Sequence, residues 1–263
     1  MPVVDSHCHV TTVWYEPVEV LLFQMERNAV DKAILIQING EFNNDYQAEC
    51  ARKFPGRFAS VVIVDTDRPD APDLLAREAE RGAAGVRLRP DTRSPGNDPF
   101  AIWRAADLLG LPVSVGGSGD LYAAPAFAEL IAKFPKLKIV IEHLGSVNRP
   151  DGDEADVVRQ KVFDLSRFPN TYIKLPGLGE FVKRAMPVEQ PFPFVRPIPS
   201  SIDRAIAAFG ANRVMWGSDY PPVSSREGYA NALRFPMEQL AGRSEAERNA
   251  IFGDTALSVF QIR

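Results

Sequence analysis

Eight short apolar segments, which recur at intervals of roughly thirty residues, constrain the fold of this chain more than any other feature. Helical patterns lie between them; Phe127, Leu130 and Phe134, for example, fall on one face of a helix. The predicted strands are VVDSHCH (3–9), KAILIQI (32–38), FASVVIV (58–64), GVRLRP (85–90), PVSVGG (112–117), KIVIEH (138–143), YIKLPG (172–177) and VMWGSD (214–219). Because nearly continuous apolar strands that alternate with helices are typical of parallel sheets, the pattern predicts the α/β class and a single (β/α)8 TIM barrel.

An open, doubly wound sheet is the rival arrangement, and it would usually carry a glycine-rich phosphate loop after an early strand. The sequence has neither a GxGxxG nor a Walker pattern, and no shift in composition divides it. We therefore expect one barrel domain over residues 1–263. Prolines make a regular helix impossible in the stretch 186–199, which we predict to belong to an active-site loop at 178–199.

Charge and composition narrow the classes of partner. The net charge of −4 gives no reason to expect binding to nucleic acid or to an anionic membrane. No apolar run approaches the ~18 residues of a membrane span, and two cysteines cannot form a disulfide framework. We expect a cytoplasmic protein that acts on a small molecule, as a monomer or a homo-oligomer.

All three histidines of the chain lie at predicted strand ends. His7 and His9 end the first predicted strand, His143 ends the sixth, and Asp219 ends the eighth. In parallel barrels the reacting groups lie at the carboxyl ends of the strands, so these four side chains are the candidate catalytic residues. Alternation along a strand predicts that Asp5 shares the face of His7 and His9.

Cationic residues in two further strands extend the candidate site. Arg87 and Arg89 are predicted to share one face of the fourth strand, and Lys174 lies in the seventh. Buried cations are costly without partners, so these three either pair with interior carboxylates such as Asp5 or bind an anionic substrate. Tyr220, beside Asp219, is a weaker candidate for substrate binding.

The motifs DSHCHV, IEHLG, YIKLPG and WGSDYPP, in this order, resemble the amidohydrolase superfamily and, within it, the family-2 branch. The resemblance extends to the carboxyl-terminal segment AIFGDTALSVF and implies a (β/α)8 barrel. Decarboxylases of that branch bind one zinc through a first-strand His-x-His pair, a fifth-strand histidine and an eighth-strand aspartate. Here the fifth strand reads PVSVGGSGD and has no histidine. The reduced pattern is similar to that of 2-pyrone-4,6-dicarboxylate lactonases and related lactonases, of which the former hydrolyse their lactone without a divalent metal.

The resemblance therefore implies a lactonase of a small, carboxylated metabolite, as in aromatic catabolism, that requires no cofactor. In this hypothesis Asp219 is the general base, and His7, His9 and His143 polarise the lactone carbonyl. The substrate-binding residues would be Arg87, Arg89, Lys174 and Tyr220.

Two alternatives stay open. One is a decarboxylase or hydratase of an aromatic or muconate-type acid, with one Zn2+ on His7, His9 and Asp219. The other is a barrel that only binds an acidic metabolite. The loops at 39–45, 91–98, 146–156 and 178–199 carry no motif from which the substrate could be named.

Overall fold

The computed structural model describes residues 2–146, 153–187, 193–196, 198 and 200–262. Eight strands form one parallel sheet, in which hydrogen-bonded neighbours follow the order of the chain. The strands are β1 (Val4–Cys8), β2 (Lys32–Ile36), β3 (Phe58–Val62), β4 (Gly85–Leu88), β5 (Val113–Val115), β6 (Ile139–Ile141), β7 (Thr171–Leu175) and β8 (Val214–Trp216). The predicted (β/α)8 barrel is confirmed.

Helices follow the strands and cover the outside of the sheet. They are α1 (Val18–Arg27), α2 (Asp45–Lys53), α3 (Ala71–Glu80), α4 (Ala101–Leu109), α5 (Gly119–Ala123), α6 (Pro125–Lys133), α7 (Asp153–Phe163), α8 (Ser201–Phe209), α9 (Tyr229–Gln239), α10 (Glu245–Asn249) and α11 (Thr255–Val259). Short 3-10 segments follow β6 (His143–Ser146), β7 (Leu178–Glu180) and β8 (Pro222–Ser225). No helix in the described ranges has the length and apolar character needed to cross a membrane.

Apolar residues form two clusters because alternate side chains of a strand face opposite sides of the sheet. The larger cluster lies between the sheet and the helices. The smaller one fills part of the barrel interior, and the C-terminal segment adds Phe260 to it. Its members are Val4, Ile34, Ile36, Ala59, Val61, Val140, Met215, Ala256, Val259 and Phe260.

The barrel closes beside the predicted catalytic residues, beyond the last residue of β8. The Asp219 N–H donates to the His7 carbonyl at 2.8 Å, and the His9 N–H donates to the Tyr220 carbonyl at 2.8 Å. This seam holds the ends of the first and last strands together, so the main chain itself sets His7, His9 and Asp219 side by side.

An irregularity in β1 changes which side chains share a face. Between Asp5 and Cys8, β1 has one residue more than the matching stretch of β2. Asp5 pairs in register with Ala33, which faces the helices, whereas His7 contacts Lys174 in the barrel interior. The expectation that Asp5 points with His7 and His9 is therefore wrong. Its carboxylate accepts hydrogen bonds from the Ser218 N–H and hydroxyl instead.

The loop after β7 folds back on itself. The Ala185 N–H donates to the Pro193 carbonyl at 2.8 Å, and the Val195 N–H donates to the Lys183 carbonyl at 2.9 Å. The predicted active-site loop at 178–199 is thus described at both ends, while 188–192, 197 and 199 lie outside the described residues, as do 147–152 of the loop at 146–156.

Candidate active site

Three imidazoles surround one carboxylate oxygen at the carboxyl end of the barrel. Oδ1 of Asp219 lies 3.5 Å from Nε2 of His9 and 3.9 Å from Nε2 of both His7 and His143. The structure therefore brings the four sequence-predicted residues together. His143 and Asp219 lie two to three residues past the ends of β6 and β8, rather than within the strands.

Two of these residues have left-handed backbone conformations. His143 has a φ of +48° and Asp219 a φ of +57°. Such conformations are uncommon outside glycine and cost about 1–3 kcal/mol each, so the surrounding structure must hold them. For Asp219, the backbone hydrogen bond to His7 supplies part of that restraint. Strain of this kind concentrates at functional sites.

His9 has its tautomer set by the main chain. Its Nδ1 lies 2.7 Å from the Ile36 carbonyl, which can only accept, so Nδ1 carries a proton and Nε2 faces Asp219. The Tyr15 ring lies 5.6 Å from the imidazole, and Trp14 stacks on Tyr15 at 4.5 Å. Tyr15 thus packs beside His9, and the exposed Trp14 covers Tyr15.

His143 is paired with a carboxylate from the loop after β7. Its Nδ1 lies 2.9 Å from Oε1 of Glu180. Burial alone would lower the pKa of His143, but the attraction of Glu180 outweighs burial and raises the pKa to about 9. His143 is therefore an imidazolium at neutral pH, with its Nε2–H directed towards Asp219.

Arg226 links the two carboxylates of the mouth. Its Nη1 donates to Oδ2 of Asp219 at 3.0 Å, and its Nη2 lies 3.4 Å from Oε1 of Glu180. Burial would raise the pKa of Asp219, but His9, His143 and Arg226 together hold it down at about 2. Asp219 is therefore ionised throughout the physiological range.

A chain of polar side chains lies beneath the histidines. Arg87 donates to both oxygens of Glu142, at 3.1 Å from Nε and 2.7 Å from Nη2. The Ser114 hydroxyl donates to Oε1 of Glu142 at 2.7 Å. Nζ of Lys174 lies 2.9 Å from Oγ of Ser114 and 3.2 Å from Nδ1 of His7. These five residues connect β4, β5, β6 and β7 to β1 through the barrel interior.

The buried charges among these polar side chains stabilise one another. Burial acts to raise the pKa of Glu142, but Arg87 and then Lys174 depress it to about 2. Burial lowers the pKa of Lys174 to about 8, against the attraction of Glu142. Burial, with Lys174 adding to it, also lowers the pKa of His7 well below its usual value, so His7 is neutral at pH 7.

Gly116, directly after β5, makes room for the Arg87–Glu142 pair. A Cβ atom at this position would lie 2.8 Å from Oε2 of Glu142 and 3.3 Å from Nη2 of Arg87. The fifth-strand segment that has no histidine is thus packed against a salt bridge.

The predicted substrate-binding residues divide into two groups. Arg87 and Lys174 lie directly beneath the histidines, where Lys174 is buried, Arg87 is partly buried, and both are hydrogen-bonded within the protein. Arg89 lies past the end of β4, exposed, and pairs with Asp91 at 3.1 Å. Tyr220 is 1% exposed, and its hydroxyl donates to Glu16. The structure leaves these last two outside the cluster.

Sequence reasoning missed Tyr15, Ser114, Glu142, Glu180 and Arg226. One of them had a signal: Glu142 is a charged residue that ends an otherwise apolar strand motif, KIVIEH. Glu180 and Arg226 come from connections between strands and helices, where no residue pattern indicates which side chain turns inwards.

Three groups of side chains lie close enough to share a metal ion, with ligand atoms within 4.8 Å of one another among the described residues. They are His7–His9–Asp219, His7–Glu142–His143 and His143–Glu180–Asp219. A ligand must offer a free lone pair, and in each group a cationic donor already contacts one member and would compete with an ion for it. Lys174 contacts His7, Arg87 bonds Glu142, and Arg226 bonds Asp219. Arg226 bonds Oδ2 of Asp219 and leaves Oδ1 open towards the histidines, so His7, His9 and Asp219 are the residues that would hold an ion if one were bound.

Comparisons with known proteins agree with this architecture. The model of the family described as amidohydrolase matches residues 4–262. An L-fucono-1,5-lactonase of Burkholderia ambifaria is 29% identical over 248 residues, which cover 90% of this chain and 82% of that protein.

Two solved structures share the fold. An amidohydrolase of Burkholderia multivorans with bound zinc has a TM-score of 0.78 at 22% identity, with 100% of both chains covered. A Pseudomonas putida protein, provisionally named a 2-pyrone-4,6-dicarboxylic acid hydrolase, has a TM-score of 0.74 at 22% identity, covering 98% of this chain and 97% of that one. With a family match over nearly its whole length, this chain is a hydrolase that belongs to the amidohydrolase family.

Proposed function

We propose that this chain hydrolyses a lactone by attack of water on the ring carbonyl, with Asp219 as the general base. The observation that carries the proposal is the convergence of three imidazole Nε2 atoms on Oδ1 of Asp219, at 3.5 to 3.9 Å. These separations exceed direct hydrogen bonds and suit a shared water or substrate oxygen between the groups. The L-fucono-1,5-lactonase and pyrone dicarboxylic acid hydrolase names of similar proteins support lactone chemistry.

Each side chain has a distinct part in this mechanism. Ionised Asp219 removes a proton from water, and His9, whose Nδ1–H is committed to Ile36, shares that water through Nε2. Negative charge then develops on the carbonyl oxygen, which accepts hydrogen bonds from His143 and His7. A donor aimed at such an oxyanion contributes about 3 kcal/mol to the transition state. The imidazolium of His143 also has a proton to give to the departing ring oxygen.

The cationic side chains of the site are paired within the protein, and this affects which charge the substrate can carry. Arg87 and Lys174, which were predicted to bind a carboxylate, are bonded to Glu142 and Ser114. Arg226 is already paired with Asp219. Because a carboxylated substrate would have to compete with these contacts, we propose a neutral sugar lactone as the first substrate class, with a carboxylated pyrone as the second.

The first experiment measures lactone opening at pH 7 across neutral aldonolactones and 2-pyrone-4,6-dicarboxylate. On the substrate found, Asp219→Asn should lower kcat by about 100-fold or more, since the general base is lost. Asp203→Asn is the matched control, because Asp203 is an exposed partner of Arg243. Near-normal turnover by Asp219→Asn would refute the mechanism.

Chelation distinguishes the alternatives. Protein made without added metal should contain no stoichiometric zinc and should keep its lactonase activity after treatment with a chelator. Activity that disappears on chelation and returns with zinc would contradict the proposal, and would favour the zinc-dependent decarboxylase or hydratase.

A further inference from the structure

We infer that Lys174 is a positioning residue, which fixes the proton of His7 on Nε2 and thereby keeps a divalent metal out of the His7–His9 pair. The value of that proton as an oxyanion donor rests on the proposed function. The geometry that places it there can be tested without any substrate.

The direction of the hydrogen bonds beneath the site follows from Glu142. An ionised carboxylate only accepts hydrogen bonds. The Ser114 hydroxyl, 2.7 Å from Oε1 of Glu142, therefore donates its single proton to that oxygen. Oγ of Ser114 can then only accept from Nζ of Lys174, which lies 2.9 Å away.

Lys174 in turn determines the tautomer of His7. An ammonium group has no lone pair, so it donates to Nδ1 of His7, 3.2 Å away, and the ring proton lies on Nε2. An acceptor, Oε1 of Glu142, lies 4.0 Å from Nδ1, which is too far for a hydrogen bond that would hold the ring proton on Nδ1.

His7 Nε2 is buried and has no hydrogen-bond partner in the described part of the chain. It faces Asp219 at 3.9 Å, in the space between the imidazoles. A buried donor without a partner is costly, which points to a substrate or water oxygen as its acceptor.

The two histidines of the motif therefore have opposite tautomers. His9 donates from Nδ1 to the Ile36 carbonyl, so in its neutral form the lone pair is on Nε2, whereas neutral His7 has its lone pair on Nδ1, against Lys174. A metal bound by both residues through Nε2 needs both of those lone pairs, and the proton on His7 occupies one of them. Lys174 is thus the residue that selects acid–base chemistry over metal chemistry at this site.

Nuclear magnetic resonance can read the tautomers directly because the chain has only three histidines. In protein with 15N-labelled histidine at pH 7, long-range 1H–15N spectra should show His7 protonated on Nε2 alone and His143 protonated on both nitrogens. The variants His7→Asn, His9→Asn and His143→Asn assign the signals. A wild-type His7 signal with the proton on Nδ1 would overturn the inference, whatever the variants of Lys174 do.

Zinc binding is the second readout. Lys174→Gln puts an amide oxygen, which can accept from Nδ1 of His7, near the position of the ammonium, and Lys174→Met removes the donor. We expect the Kd for zinc, measured by calorimetry at pH 7, to fall in Lys174→Gln relative to the wild type, by about the 10- to 100-fold over which hydrogen-bond partners of a ligating histidine change metal affinity. Lys136→Met, an exposed lysine on the outside of the barrel, is the control and should bind zinc as the wild type does.

The outcomes separate this inference from the proposed function. Unchanged zinc affinity in a folded Lys174→Gln protein would refute the role of Lys174 even if lactones are hydrolysed. Conversely, the protein could show the expected tautomers and zinc affinities but open no lactone. That result would support the role of Lys174 in keeping metal out and would refute the proposed lactonase function.

Discussion

Glu142→Gln is expected to destabilise the protein strongly, because it removes one member of a buried network while leaving the others in place. Glu142 is 1% exposed and accepts hydrogen bonds from Arg87 and Ser114. Lys174 in turn donates a hydrogen bond to Ser114. The amide keeps the shape of the side chain but leaves two buried cations without their carboxylate. Breaking a buried ion pair from one side costs about 3–5 kcal/mol.

The pKa of Glu142 gives a second value for the stability that its ionised carboxylate contributes. Its depression from 4.5 to about 2 corresponds to ~3 kcal/mol of stability, at 1.36 kcal/mol per pH unit. Because the folded-state pKa is lowered, this contribution is fully present above about pH 4.5 and is lost as the pH falls through about 2. The difference between the wild type and Glu142→Gln should therefore be constant from pH 7 to pH 5 and shrink below pH 4.

Urea unfolding at pH 7, 5 and 3.5 measures the free energy of unfolding for both proteins. Asp70→Asn is the control, since Asp70 and its partner Arg68 are exposed, and a surface pair contributes at most about 1 kcal/mol. A loss below about 1 kcal/mol for Glu142→Gln at pH 7, or a loss that does not change with pH, would refute the reasoning.

Two further predictions concern His143 and Gly116. Since Glu180 raises the pKa of His143, kcat/KM for the substrate identified in the lactone screen should fall as His143 loses its proton near pH 9. In Glu180→Gln this fall should begin at a lower pH. A fall that begins at the same pH in both proteins would contradict this role of Glu180. Gly116→Ala places a Cβ against Glu142 and should lower the free energy of unfolding in urea by about 1–3 kcal/mol. Gly242→Ala is the control, because the space around Gly242 is open. Equal stabilities of the two variants would show that the Arg87–Glu142 salt bridge can shift.

Strand positions could be predicted from the sequence because each strand is a short apolar run with a helical pattern after it. The carboxyl ends of such strands meet at one end of a barrel, so His7, His9, His143 and Asp219 could be grouped from the sequence alone. The structure shows this group at 3.5 to 3.9 Å around Asp219.

Side-chain direction was harder to predict where the backbone is irregular. The extra residue in β1 turns Asp5 towards the helices, and simple alternation cannot anticipate a bulge. With Asp5 facing outwards, the interior partner of Arg87 is Glu142, from a strand on the other side of β5. Pairing between strands depends on register and on the space left by Gly116, neither of which is visible in one strand alone.

The loop residues could not be predicted for a different reason. Glu180 and Arg226 reach the site from connections whose path depends on packing against the rest of the barrel mouth. Their neighbours in the sequence have no periodicity that distinguishes an inward side chain from a solvated one. Arg89 shows the converse, since an arginine placed in a strand by its pattern lies past the strand end and pairs with Asp91 at the surface.

The closure of the barrel makes the assembly of the proposed catalytic group all-or-none. The hydrogen bonds from Asp219 to His7 and from His9 to Tyr220 join the two ends of the sheet, and the same residues carry the proposed base and two of the imidazoles around it. No part of the chain that stops short of Tyr220 can assemble the group, and any opening of this joint separates Asp219 from His7 and His9. We therefore expect the amide protons of His9 and Asp219 to exchange with solvent when this group comes apart, so that they report its integrity in the absence of any substrate.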